Sequence, residues 1–262
     1  MKQYRDKEWL TKKYADEKLS TTQMGILCKV NKETIRRWIH KHKIPIRLNA
    51  KSLHFLKGNH CTLSQEAIEW INGELLGDGC IQRNSNYSGY FGYGSKYKEY
   101  IEYVRDTLKS FGIEQMGNIR TETKLGCFCY HYFSLYYSEL LPIRKQWYPE
   151  GKKIVPKDIV LTPLTVRQWY IGDGSLGYER NGQAHIELYT MGFMISDVEW
   201  LIEQLNQLGF KVSRHPSINS IGISVHSTKD FLNYIGNCPV ECYQYKWARK
   251  KKEMINHVTC TC

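Results

Sequence analysis

Apolar residues recur along this chain in two rhythms, every three to four positions and every second position, and the order of the rhythms repeats. Ile68, Ile71, Leu75 and Leu76 predict a helix face that ends at Gly77-Asp78-Gly79. Thr62, with Gln65 three residues on, has capping-box spacing at its start. Alternating segments rich in Gly and Tyr over 80–95 predict a strand pair. Tyr100, Ile101, Val104 and Leu108 predict a helix stopped by Gly112. Short strands follow over 117–124 and 127–135, then a helix capped by Ser138. The second half runs in the same order. A helix over 164–171 ends at Gly172-Asp173-Gly174, and strands fill 176–190. A helix capped by Ser196 carries Val198, Leu201, Leu205 and Leu208 to Gly209. Strands at 210–215 and 220–226 precede a helix capped by Ser227. Gly112 follows Asp78 by 34 residues and Gly209 follows Asp173 by 36; Lys153 and Lys246 follow the same two acids by 75 and 73. Landmarks in one order at near-equal spacing predict an internal duplication.

Residues 1–50 follow a different pattern. Trp9, Leu10 and Tyr14 fit one face of a short helix. Ser20 or Thr21 can cap a second helix through Gln23, Met24 and Leu27, with a turn at Cys28–Asn31 plugged by Val30. A third helix starting at Asn31 or Lys32 turns Ile35, Trp38 and Ile39 inward and Thr34, Arg36, Arg37 and Lys41 outward; Pro45 ends it. Two short helices around a tight turn predict a helix-turn-helix, its second helix being the reader. Between 29 and 51 there are eight Lys or Arg and one acid, Glu33, the charge expected of a helix against phosphates. The predicted organisation is a DNA-binding domain at 1–50, a linker at 51–62, a first repeat at 63–151, and a second at 152–262 with a basic C-terminal tail.

Composition narrows the partner. The chain has 262 residues, 42% of them hydrophobic, which supports a sizeable core and argues against wholesale disorder. Its formal net charge is +11, favouring a polyanion, with nucleic acid ahead of a membrane surface. No apolar run approaches the ~20 residues that span a bilayer. The charged start lacks the apolar core of a signal peptide. Nine cysteines at irregular spacing suit a reduced intracellular protein, cytoplasmic or nucleoid-associated and not secreted. Cys127/Cys129, Cys238/Cys242 and Cys260/Cys262 lack the paired spacing of a structural zinc site. The start at Met1 and the lack of splicing-type termini suggest a stand-alone chain.

Two helices that each end in Gly-Asp-Gly put a carboxylate at each tip beside free backbone carbonyls. The first glycine lets another backbone approach, and the second turns the chain into a strand. If the repeats pack about a pseudo-twofold axis, the tips meet and Asp78 and Asp173 lie side by side. Two such acids repel, near the negative ends of two helices. A divalent cation relieves this, and oxygen ligands suit Mg²⁺ better than zinc. Acids, metal and a basic surface point to phosphodiester hydrolysis.

The stretches IEWINGELLGDGCI and LTVRQWYIGDGSL resemble the two motifs of single-chain LAGLIDADG homing endonucleases. The stretch GKKIVPKDIVLTPLTVRQWYIGDGSL is especially similar, with its Lys-x-x-Pro element, Leu-Thr-Pro and Trp before the acid. The resemblance covers about 63–250. It implies an α+β fold of two αββαββα repeats with saddle-shaped antiparallel sheets over double-stranded DNA, beside the small all-α helix-turn-helix domain. It implies a monomer that cuts both strands of a long site with two or three Mg²⁺ ions. The implied metal-binding acids are Asp78 and Asp173, with Gly77 and Gly172 beside them. The implied basic groups near the chemistry are Lys153 and Lys246, and Lys96 or Lys98 falls at a position that often faces DNA. Departures are Gln168 where the first motif has Gly73, expected to loosen the helix seam, and Ile171-Gly172 where relatives often carry Met-Asp. Two alternatives stay open: a DNA-binding regulator that has lost cleavage, and an RNA-binding intron-splicing maturase.

Overall fold

The computed structural model describes residues 3–17, 19–46, 58–124 and 127–248. The part of the linker at 51–57, the tail at 249–262 and its Cys260/Cys262 pair therefore lie outside the described residues. The chain forms two compact units, Met1–Lys57 and Gly58–Cys262.

In the first unit, α1 (Lys7–Thr11) is capped by Asp6, whose side chain accepts from the Trp9 N–H. Its chain continues into a π turn over Lys12–Asp16. Helix α2 (Thr21–Leu27) opens with a capping box between Ser20 and Gln23. Helix α3 (Lys32–Lys41) opens on Asn31, which accepts from the Glu33 N–H. The turn between them is tight because Gly25 has no side chain: a Cβ there would lie 2.7 Å from the Val30 carbonyl oxygen. Leu10, Tyr14, Met24, Ile35, Ile39 and Ile44 form the core of this unit, with Val30 and Trp38 packed on its edge.

The second unit is a duplication. Its first half runs α4 (Gln65–Leu76), β1 (Cys80–Arg83), β2 (Gly89–Ser95), α5 (Lys98–Ser110), β3 (Arg120–Lys124), β4 (Cys127–Phe133) and α6 (Leu140–Trp147). Its second half runs α7 (Pro163–Asp173), β5 (Gly174–Tyr178), β6 (Ala184–Tyr189), α8 (Ile195–Gln207), β7 (Val212–His215), β8 (Ser220–Ile223) and α9 (Val225–Ile235). Each half makes a four-stranded antiparallel sheet, ordered β1-β2-β4-β3 and β5-β6-β8-β7. This is the duplication that the landmark spacing predicts, in the αββαββα order that the resemblance implies. Phe91, Tyr93 and Tyr132 of the first sheet, and Ile186, Leu188, Ile221 and Ile223 of the second, enter one core shared by both halves. The alternate positions face away from it, as the period of two requires.

Several helix starts differ from the sequence reading. Helix α4 is capped by Ser64, accepting from the Ala67 N–H, and not by Thr62. Ser138 gives way to Glu139 ahead of α6, and its hydroxyl donates to the Glu139 carboxylate. Helix α8 starts after Met194, so Ser196 lies inside it. Ser224 precedes α9, and Ser227 instead accepts from the Lys211 N–H, tying α9 to the sheet. Of these starts only Ser64 makes a side-chain cap; Glu139, Met194 and Ser224 make none, so capping chemistry does not mark those three helix starts. Leu208, expected on the buried face of α8, is 39% exposed where that helix ends.

Helices α4 and α7 form the seam between halves. Thr162 caps α7, accepting from the Thr165 N–H at 3.3 Å, and Pro163 occupies its first turn without a lost hydrogen bond. The Thr162 hydroxyl donates to Glu69 Oε2 (2.9 Å) and the Thr165 hydroxyl to the Glu69 carbonyl (3.2 Å), so the start of α7 is fastened to α4. Further along, a Cβ on Gly73 would fall 2.4 Å from the Thr165 carbonyl oxygen and 2.8 Å from Gln168 Cβ. Gln168 therefore does not loosen the seam. It is fully buried and uses the room that Gly73 leaves. With its amide nitrogen on Glu74 Oε1 (3.1 Å), its oxygen accepts from Trp70 Nε1 and the Tyr103 hydroxyl, both at 3.0 Å.

This seam yields a stability test. Gly73→Ala gains about 1 kcal/mol of helix propensity, but its methyl meets backbone of the facing helix, and overpacking costs about 1–3 kcal/mol or more. Urea unfolding is expected to show a net loss of stability; a midpoint at or above the parent's would mean that the helices have room to spare.

Candidate active site at the helix tips

The two acids are brought together by glycines. Helix α4 ends at Leu76 with Gly77 as its cap, so Asp78 lies in the turn just beyond, whereas α7 continues through Asp173. A Cβ on Gly77 would lie 3.3 Å from Gly172 Cα and 3.7 Å from the Asp173 nitrogen. A Cβ on Gly172 would lie 3.1 Å from Gly77 Cα and 3.2 Å from the Asp78 nitrogen. Each acid's own peptide thus rests against the glycine of the opposite helix, and the two carboxylates emerge on either side of one contact. Asp78 is exposed and Asp173 half-buried. Asp173, Lys153, Gly77 and the 189–193 turn line a shared pocket at this end of the seam.

Two lysines enclose the acids. The Lys153 ammonium donates to the carbonyls of Gly77 (3.0 Å) and Gly79 (3.2 Å). The Lys246 ammonium donates to the carbonyl of Ile171 (2.6 Å), with those of Tyr170 and Gly172 at 3.4 Å. Both cations therefore cap the negative end of a helix. Lys246 is 6% exposed and is carried on the 3₁₀ helix Glu241–Trp247; it does not belong to a solvated tail.

Electrostatics marks this cluster. Burial, then the charge of Asp78, pushes the Asp173 carboxyl up to about 7 against the pull of Lys153 and Lys246. Although Asp78 is exposed at its surface, the protein packed behind it also raises it by desolvation, opposed by Lys246, Lys153 and the Tyr93 hydroxyl. Burial brings Lys246 down to about 8 although both acids oppose it, and it lowers Lys153 likewise. Acids raised and amines lowered in one place are the signature of a site that holds charge ready for a ligand.

The residues present fit a divalent cation. Two carboxylates are forced together at a cost that a cation would remove, and hard oxygen donors are what the helix tips offer. The Gly77 and Gly172 carbonyls each keep a second lone pair beside their lysine contact. Among the described residues no group of three or more His, Cys, Asp or Glu could hold a metal, so a cation at the tips would rest on the two acids, with carbonyls, water and substrate completing its shell.

The outlying candidates fall elsewhere. Lys96 is exposed, stacks 4.9 Å from the Tyr97 ring centroid, and helps to lower Lys246 by its charge. Lys98 is exposed and paired with Glu102 at 3.1 Å on α5. On α3, Arg36 and Arg37 are exposed and Thr34 is half-buried; Lys41 lies 4.4 Å from the Trp38 ring centroid.

Other residues at this site escaped the sequence reading. The buried Tyr93 hydroxyl is directed at Asp78 without a hydrogen bond of standard geometry, and it favours the ionised acid. Glu74 is fully buried, accepts from the Tyr100 hydroxyl at 2.5 Å, and is pushed well above the usual carboxylate range by desolvation. An acid on the apolar face of IEWINGELLGDG was the available signal for it. Three histidines lie on the sheet faces turned from the core, each over a glycine of a neighbouring strand and each beside a glutamate: His131 with Glu122 (3.4 Å), His185 with Glu179 (3.2 Å), His215 with Glu187 (2.9 Å). Their pairing depends on strand register, which no spacing along the chain reveals.

A pH dependence follows for the metal-free protein. The folded state holds a proton on Asp173 that the unfolded chain, with an ordinary value near ~3.9, releases. Stability is therefore expected to fall as pH rises from about 4 through about 7. Asp173→Asn removes that loss, so its Tm should exceed the parent's above pH 7 and converge with it toward pH 4. Parallel Tm curves for the two proteins would refute the assignment.

Comparison with known proteins agrees with this architecture. Residues 68–231 match the LAGLIDADG DNA endonuclease family. The chain is 30% identical over 209 residues to the uncharacterized protein MJ1098 of Methanocaldococcus jannaschii, covering 77% of this chain and 80% of that one. It is 26% identical over 187 residues to the cytochrome b mRNA maturase bI2 of Debaryomyces hansenii, covering 64% of this chain and 66% of that one. The homing endonuclease I-WcaI, solved bound to its DNA recognition sequence, shares the fold with a TM-score of 0.59 at 22% identity, over 74% of this chain and 91% of that one. With the two motifs, the duplicated fold and a match that spans more than half its length, the chain belongs to the LAGLIDADG DNA endonuclease family.

Proposed function

We propose that the protein is a site-specific, homing-type DNA endonuclease that hydrolyses one phosphodiester bond on each strand of a long target with the help of divalent metal. The observation that carries this reading is the contact of Gly77 with Gly172, which puts Asp78 and Asp173 at one point, each with a lysine capping a helix end beside it. A regulator that had lost cleavage would have no need of this clustered charge.

Asp78 and Asp173 would hold Mg²⁺, with the Gly77 and Gly172 carbonyls beside them. When bound, the metal supplies a water activated for attack and stabilisation of charge on the phosphate. The chain's own residues do the rest. Lys246, brought down to about 8, can give or take a proton at Nζ near neutral pH. Lys153 offers positive charge toward a phosphate developing negative charge. Lys246, Lys153 and Tyr93 favour the ionised form of Asp78 against desolvation. A single chain supplies both acids, which suits a monomer with internal pseudo-twofold symmetry.

The outward sheet faces would lie along the duplex, where His131, His185 and His215, held by their glutamates, can reach base edges. Helix α3, as the second helix of a helix-turn-helix, would present Thr34, Arg36, Arg37 and Lys41 to a further stretch of DNA. Lys96 and Lys98 would meet phosphates near the centre. No helix among the described residues is long and apolar enough to cross a membrane. The likeness to a maturase supports a second reading, in which the same basic surface binds intron RNA.

Incubation with a randomised DNA library and Mg²⁺, followed by sequencing of cut ends, is expected to return one long motif. Asp78→Asn and Asp173→Asn should each abolish double-strand cutting of that motif while Kd measured in Ca²⁺ changes little. Cutting at the parental rate by either variant rejects the assignment of these acids. Tight binding of a cognate intron RNA without DNA cleavage would favour the second reading.

Arg36→Ala and Arg37→Ala should weaken DNA binding uniformly across sequences. Removing one phosphate contact should lower the slope of log K against log salt by about 1. An unchanged slope would remove α3 from the DNA interface.

A further inference from the structure

The two lysines at the helix tips arrive on segments that regular structure does not hold. Lys153 lies between α6 and α7, and Lys246 follows α9 on a single short 3₁₀ helix. A long cation reaches a fixed point only if its backbone is anchored nearby, so the anchors matter.

Both anchors are carboxylates, and each belongs to the repeat opposite the one whose acid its lysine follows. The segment after the first repeat docks on α8 of the second. There the Val155 N–H donates to Asp197 Oδ2 (3.1 Å) and the Lys157 ammonium to Asp197 Oδ1 (2.6 Å). Asp197 is 6% exposed, Val155 is buried, and Lys157 also lies 5.1 Å from the Trp200 ring centroid on the same helix. The segment after the second repeat docks on α5 of the first. The N–H groups of Glu241 and Cys242, at the start of the 3₁₀ helix, donate to Glu99 Oε1 (2.7 Å) and Oε2 (3.1 Å). Beside them the Tyr243 ring packs against Tyr97 and Tyr100, both with centroids 5.1 Å away. Glu99 and Asp197 occupy the first turns of corresponding helices, where a negative charge is favoured by the helix dipole.

We propose that Glu99 and Asp197 are crosswise positioning residues, Asp197 of the second repeat placing Lys153 and Glu99 of the first placing Lys246. Neither carboxylate touches the acids; each acts through the lysine that its segment carries. The arrangement makes each half incomplete without the other, since a lysine is set only when both repeats are packed. It also makes the two lysines separately adjustable.

Amine labelling of the metal-free full chain, read lysine by lysine by mass spectrometry, tests the anchoring without any appeal to cleavage. Glu99→Ala is expected to raise the reactivity of Lys246 at least about tenfold, an opening of about 1.4 kcal/mol, and to leave Lys153 at the parental level. Asp197→Ala should do the reverse. Glu99→Gln and Asp197→Asn, which keep an acceptor oxygen, should lie between parent and alanine variant; they also serve if an alanine variant does not fold. Equal exposure of both lysines in either variant would mean general loosening and would overturn the proposal, as would no exposure of either.

The catalytic consequence rests on the endonuclease reading. On the DNA that the parent cuts, single-turnover rates resolved by strand should fall about tenfold on one strand for Glu99→Ala and on the other for Asp197→Ala, with Kd in Ca²⁺ unchanged. Equal slowing of both strands by each variant overturns crosswise placement. A parent that cuts no DNA overturns the endonuclease reading, and the labelling pattern then still decides the anchoring.

Discussion

The close approach of two helix ends without intervening side chains governs the rest of this molecule. At Gly77 and Gly172 the backbones of α4 and α7 come so close that a Cβ on either glycine would lie 3.1–3.3 Å from the Cα of the other, and Gly73 extends the contact back along α4. A Cβ at Gly73 or Gly172 would drive the helices apart, and the acids after the two tip glycines would separate with them. The shared core beneath, with Trp70, Trp169 and Tyr170 fully buried, holds the helices from behind, so the tips meet as part of a packed solid.

That contact creates an electrostatic problem whose solution is the site. At the negative ends of two helices, desolvation raises both carboxylates, and the charge of Asp78 raises Asp173 further. The lysines offset part of this by capping the carbonyls, and burial lowers them in turn. Opposed shifts of this kind leave acids and amines nearer to neutral pH than they would be in water. A bound cation would complete the balance.

The duplication is not symmetric in detail. Tyr93, near Asp78, has Leu188 at the corresponding place opposite Gly174. Glu74, four residues before the first acid, corresponds to Trp169 before the second, and Gly73 corresponds to Gln168. The polar cluster of Glu74, Gln168, Tyr100 and Tyr103 therefore exists once, spanning the seam. One half contributes the carboxylate and the other the amide, so the seam has a single register. The consequence is that Asp78 and Asp173 experience different surroundings despite their matching motifs.

The apolar rhythm and the paired Gly-Asp-Gly were enough to predict the order of the α-helices and strands in both repeats, the duplication itself and the meeting of the two tips. These follow from local periodicity and from the one residue that permits close backbone approach, both of which are written along the chain. The helix starts at Ser64, Met194 and Ser224 were not legible: Thr62 and Ser64 offer the same capping chemistry two residues apart, and Met194 and Ser224 make no side-chain cap at all, so no capping residue marks those starts. Nor was the tight fit of Gln168, which depends on the hollow that Gly73 leaves across the seam. The anchoring of Lys153 by Asp197 and of Lys246 through Glu99 joins residues from opposite repeats, and the histidine–glutamate pairs need strand register. Periodicity constrains neighbours along the chain; only the packed structure decides which distant polar groups share a buried space.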